Sequence, residues 1–205
     1  MDTLPPKALA LILQFEGMDQ PSKWPGTQSG ITLGHGFDLG YTPRNAFYDA
    51  WSPHLTINQM QRLSEVIGWT AQRAASAAPR FRDIVITKAA ADEVFTRCSV
   101  PNILRMTLQA FPKIGVLAEA APDAAGALAS CVFNRGPSVN GARRVEMKRI
   151  RDLTGQFSAG VLKLAPALRA IAGELRKMKR LWPTVKGLRR RRDAEAALVE
   201  SCIPV

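Results

Sequence analysis

The chain has 205 residues, 46% hydrophobic and 22% charged, enough to bury one substantial core and with no low-complexity tract. Its 28 Lys and Arg against 17 Asp and Glu leave a net charge of +11, which suits a polyanionic partner or matrix: nucleic acid, anionic lipid or a bacterial cell wall. Cys98, Cys131 and Cys202 stand far apart and only two histidines are present; this argues against a disulfide framework or a His/Cys metal motif, and the cysteines read as small core residues.

Thr3 reads as the cap of a first helix, with Pro5 and Pro6 in its first turn, Leu9, Ile12 and Leu13 at helical spacing and Gly17 as its stop. The apolar run is too short to span a membrane and lacks a basic segment before it, so it does not read as a signal peptide. Glu16 falls in the last turn, where the helix dipole and the neighbouring Phe15 both favour the protonated form that a general acid needs. Residues 18–29 carry turn residues without a period and read as a loop, in which Trp24 packs, covers a site or stacks on a sugar.

The stretch from Gly30 to Tyr41 is the most informative. Glycines at 30, 34, 36 and 40 predict a tight hairpin whose backbone passes close to something else. Alternation puts Thr32, Gly34, Gly36 and Asp38 on one side, while Ile31, Leu33, Phe37 and Leu39 supply apolar anchoring. A hydroxyl and a carboxylate on one glycine-lined face leave room for a substrate and a water.

Beyond the hairpin the pattern is helical. A short helix runs from Thr42-Pro43 to Trp51, a second from a Thr56 cap to Trp69, and an alanine-rich third from Thr70 to Ala77. Arg80 to Ile86 reads as extended. Thr87 to Leu108 forms a long helix, with Ala90, Val94, Phe95 and Cys98 on one face and Pro101 kinking or breaking it. Pro122 to Phe133 is small and apolar all round, the pattern of a buried central helix, and closes at Asn134-Arg135-Gly136. Asn134 at that end is a candidate to hydrogen-bond a substrate, or a helix cap. Residues 142–153, 161–182 and 187–202 complete the array. The run Arg189-Arg190-Arg191-Arg192 reads either as a solvated basic face or as a binding patch. The fold class is mainly α with one small sheet.

Four ordered segments resemble the phage-type lysozymes, closest to their pesticin-like branch: Phe15-Glu16-Gly17, the hairpin from Gly30 to Gly40, Cys131-Val132-Phe133-Asn134-Arg135-Gly136, and the tail from Lys179 to Glu195. The resemblance implies a single lysozyme-like (α+β) catalytic domain over 1–205. In it a small lobe over about 14–60 bears the hairpin at 30–41, a long connecting helix follows, and a larger helical lobe over about 87–205 includes the N-terminal helix, with a cleft between the lobes. It assigns Glu16 as the acid that protonates the glycosidic oxygen, Thr32 and Asp38 as the groups that hold and activate water, and Gly34, His35, Phe133 and Asn134 as substrate contacts. It implies a muramidase that cuts peptidoglycan between N-acetylmuramic acid and N-acetylglucosamine, without metal or organic cofactor, as a monomer. Such an enzyme serves as a phage endolysin or an antibacterial effector, made in the host cytoplasm and acting in the periplasm, with a holin, a secretion apparatus or an immunity protein as possible partner. In the best-known phage lysozymes the aspartate lies nine positions after the glutamate, where this chain has Pro25; Asp19 is the one acid between Glu16 and Thr32, whereas the pesticin-like order fits Asp38. Two other readings remain: a basic helical nucleic-acid binder, which leaves the hairpin unexplained, and a catalytically silent wall binder.

Overall fold

The computed structural model describes residues 3–204. They are mainly helical, with one two-stranded antiparallel sheet, as the periodicity predicts. The chain divides into two compact units, one formed by Glu16–Ser99 and the other by residues 1–15 with 100–205. The hairpin-bearing unit extends to Ser99, and Met60, Leu63, Val66, Phe81, Ile84 and Val94 supply a third of its buried core cluster.

Helix α1 covers Pro6–Glu16. Its first turn is set by the Pro5 carbonyl, which accepts the Leu9 N–H at 3.0 Å, so Thr3 lies outside the helix and does not cap it. Gly17, at φ +67°, ends the helix in the left-handed conformation that a glycine adopts without steric cost.

In the unit of residues 16–99, strands β1 (Thr32–Leu33) and β2 (Phe37–Asp38) pair in the register Thr32 to Asp38 and Leu33 to Phe37. The ladder continues one step through the Leu39 N–H and the Ile31 carbonyl at 2.9 Å. The glycines permit this tight closure: a Cβ on Gly30 would lie 2.3 Å from the Gly40 nitrogen, a contact with backbone that cannot yield. Ile31, Leu33 and Leu39 are fully buried against Phe47 and Trp51 of α2 (Arg44–Trp51). Helix α3 (Ile57–Ser64) starts with a capping box in which Thr56 and Gln59 satisfy each other's backbone N–H groups. It stops five residues short of the expected Trp69, in a run of turns that ends at Gly68 with φ +82°. Helix α4 (Ala71–Ala77) passes into a 3-10 turn at Ala78–Phe81, so the segment from Arg80 is not the extended piece that its composition suggests.

Thr87 caps α5 (Lys88–Val94), its hydroxyl accepting the Ala90 N–H at 3.2 Å. A π-helical turn at Phe95–Ser99 then leads into α6 (Val100–Ala110). Pro101 has no N–H and its ring crowds the carbonyl one turn back, and the helix answers by widening just before it instead of breaking. The same turn leaves Cys98 exposed, and Cys202 is only half-buried; Cys131 alone is the core residue expected.

The second unit is built around α8 (Pro122–Arg135), buried from Ala124 to Val132. Helix α7 (Ile114–Ala120), α9 (Val145–Ser158), α10 (Leu164–Lys177) and α11 (Lys186–Glu200) enclose it, with α11 packed on both α8 and α10. The four-arginine run is split by this packing. Arg190 is exposed, whereas Arg191 and Arg192 are 2% and 0% exposed and converge on Glu195, one and the same carboxylate oxygen lying 3.3 Å from Arg191 Nε and 2.7 Å from Arg192 Nη2. The Ser130 hydroxyl donates to that oxygen at 2.7 Å. Burial pushes the Glu195 carboxyl up while both guanidiniums draw it down, and burial pushes the adjacent Cys131 thiol up to about 11.

Charge is distributed unequally between the two units. Residues 1–15 and 100–205 hold 20 of the 28 Lys and Arg and 9 of the 17 Asp and Glu, which accounts for the whole excess of 11. Residues 16–99 hold eight of each and are neutral. No helix among the described residues is long and apolar enough to cross a membrane.

Candidate functional site

Thr32 and Asp38 face each other across the ladder, so their side chains stand on one face of the sheet. The Asp38 carboxylate is tied to the backbone at both ends of the hairpin. It accepts the Gly30 N–H at 2.9 Å and 3.1 Å on its two oxygens and the Gly40 N–H at 2.8 Å on Oδ1. Such a carboxylate is held rigidly as an anion acceptor and also closes the hairpin. The Thr32 side chain is buried, and its hydroxyl donates to the Gly30 carbonyl over a long 3.4 Å, which leaves its oxygen lone pairs to accept from a further donor.

Asp19 adds a third short segment to this frame. Its N–H donates to the Gly34 carbonyl at 2.7 Å and its carbonyl accepts the Gly34 N–H at 2.9 Å. Burial raises the Asp19 carboxyl above the usual range; His35 draws it down and the charge of Asp38 pushes it up again. Gly34 therefore has no free backbone group to offer a substrate, and the site for its absent side chain is filled by Ala91, whose Cβ would be 2.8 Å away. Gly34 is the point where the hairpin is stitched to the Asp19 loop and pressed on α5.

His35 is tied into the same frame. Its side chain is 4% exposed and both ring nitrogens are engaged, Nδ1 with the Gly17 carbonyl at 2.6 Å and Nε2 with Asp92 Oδ1 at 2.8 Å. Both ring nitrogens are thus engaged within the unit. The ring instead ties the residue after Glu16 to the hairpin turn and to α5, with Phe95 edge-on at 5.9 Å. Lys88, one helical turn back, closes on the other oxygen of Asp92.

Burial pushes the Asp92 carboxyl up, but Lys88 and His35 outweigh it and hold it below the usual carboxylate range. A depressed folded-state value stabilises the fold above the unfolded value of about 3.9, and that stabilisation is lost as pH falls through the folded value. Melting of Asp92→Asn against the parent should show a deficit at pH 6 that shrinks as pH falls below the unfolded value of about 3.9; a deficit constant with pH contradicts the clamp.

Glu16 is the last residue of α1 and is half-buried. The hydrogen bond from His35 to the Gly17 carbonyl places the neighbouring peptide, so the acid, the hydroxyl and the anion sit on segments joined by one network: Glu16-Gly17, His35, the hairpin and Asp19. Phe133 and Asn134 close α8 in the other unit; both are half-buried, and the Asn134 Oδ1 is an enclosed acceptor with no hydrogen-bond partner among the described residues. Trp24 packs partly on the core while its indole N–H donates to the Ser29 carbonyl at 2.8 Å. Among the described residues no three His, Cys, Asp or Glu side chains group as a metal would require. Sequence reasoning missed Asp92, 57 residues from His35, because no local spacing links them. A scan against protein families finds none that matches this chain, and a search of curated proteins finds no match.

Proposed function

We propose that the protein is a peptidoglycan hydrolase of the muramidase type. One observation carries the reading: Thr32 and Asp38 are paired across a hairpin whose turn is bonded to the residue next to Glu16. Hydrolysis of a glycosidic bond needs one protonated carboxyl to give a proton to the leaving oxygen and one ionised carboxylate to stabilise or activate the attacking water. Glu16 is the donor. Asp38, made a fixed acceptor by Gly30 and Gly40, is the anion, and the Thr32 oxygen orients the water beside it. Asp19, raised by burial and by Asp38, is the second carboxyl of the frame and the alternative proton carrier.

The basic unit supports the same reading, because a positive surface favours residence on an anionic wall. The competing nucleic-acid reading loses part of its basis, since Arg191 and Arg192 spend their charge on Glu195 inside the core. Purified protein incubated with peptidoglycan should release reducing ends, faster at low than at high ionic strength. Salt-sensitive binding to DNA with no release of reducing ends contradicts the proposal and favours the nucleic-acid binder.

A further inference from the structure

Tyr41 follows the hairpin and is 68% exposed, yet its ring is tethered: the hydroxyl donates to the Gln28 carbonyl at 2.9 Å. A solitary exposed tyrosine would be ordinary surface. This one belongs to a junction of three segments. The Ser29 carbonyl accepts both the Trp24 indole N–H at 2.8 Å and the Ala71 N–H at 3.0 Å, and the Leu39 carbonyl accepts the Gly68 N–H at 3.0 Å. Trp69, between those last two anchors, is half-buried with the Arg73 guanidinium 3.8 Å over its ring. Thr27 and Ala71, at φ +55° and +50°, are the non-glycine residues with positive φ among the described residues, and both flank this junction. A β-branched residue and an alanine in that conformation are strained, and such strain persists where the surroundings over-determine it, often at ligand sites.

The chemistry of the ligand follows from the rings and the charge. A phenol held by its hydroxyl presents a rigid face with negative π density. A pyranose offers the complement, a face of weakly positive C–H groups with hydroxyls at its rim. The unit that carries these rings is neutral overall, so it supplies no field that would gather a polyanion here. We propose that Tyr41 is a stacking platform for one sugar ring of a glycan strand, three residues along the chain from Asp38. This rests on the hydrolase reading for its substrate but not for its test.

The probe is N-acetylchitohexaose, titrated into the protein with tryptophan fluorescence and calorimetry as readouts. Wild type should bind it, Tyr41→Ala should weaken binding at least fivefold with an unchanged melting temperature, and Tyr41→Phe should keep most of the affinity because the ring remains. No binding of the hexamer, or equal binding by Tyr41→Ala, overturns the platform. Tyr41-dependent binding of oligothymidylate tighter than that of the hexamer overturns the choice of a sugar. Reading and platform fail separately: binding that depends on Tyr41 without any cleavage supports the platform and removes the hydrolase, whereas cleavage of peptidoglycan with hexamer binding indifferent to Tyr41→Ala does the reverse.

Discussion

Glu16→Gln should lower glycan cleavage by about a thousandfold or more while leaving the melting temperature within a degree or so of the parent. The amide keeps the size and polarity of the side chain but cannot give a proton to a leaving oxygen, and a general acid contributes about 10²–10⁴ in rate by itself. Glu16 is half-buried at a helix end that Gly17 terminates, and the amide, of the same size and shape, leaves that end in place. Reducing-end release measured on equal amounts of folded protein decides the matter. Turnover equal to that of the parent would remove Glu16 from the acid role and leave Asp19, the carboxyl with the raised value, as the remaining proton carrier.

Glu195→Ala should destabilise the larger unit by about 3–5 kcal/mol, the cost of leaving a buried charge without its partner. Arg191 and Arg192 both lean on the same oxygen, and the Ser130 hydroxyl bonds it as well, so one truncation strips the shared acceptor from three donors. Urea denaturation followed by circular dichroism measures the loss. A change under 1 kcal/mol would mean that water or the neighbouring sulfurs, Cys131 Sγ at 3.1 Å and Met178 Sδ at 3.9 Å from Arg192 Nη1, take over the guanidinium.

Local signals were legible in the sequence where the chain itself supplies the constraint. Gly17 stops α1 because a left-handed residue is needed there, the glycines of 30–40 mark a closure in which backbone meets backbone, and Thr56 caps α3. Non-local partners were not legible. Nothing in the spelling of the hairpin says that the Asp38 carboxylate will be spent on Gly30 and Gly40 N–H groups, or that His35 will find Asp92 on a distant helix. The arginine run misled for the same reason. Spacings of three and four residues to Glu195 become a buried ion cluster only when α8 brings Ser130 from 65 residues away to cover it. Overrun of α3 toward Trp69 has a different origin: apolar periodicity continues through Val66 and Ile67, which are half of a turn that packs on the core without helical bonding.

The most direct test is mass spectrometry of the fragments that the wild-type protein releases from purified peptidoglycan in ¹⁸O-labelled water. A hydrolase acting through Glu16, Thr32 and Asp38 yields disaccharide fragments ending in reducing N-acetylmuramic acid, each carrying one ¹⁸O at the new reducing end. Intact glycan, fragments cut only in the peptide, or ends free of the label would contradict it.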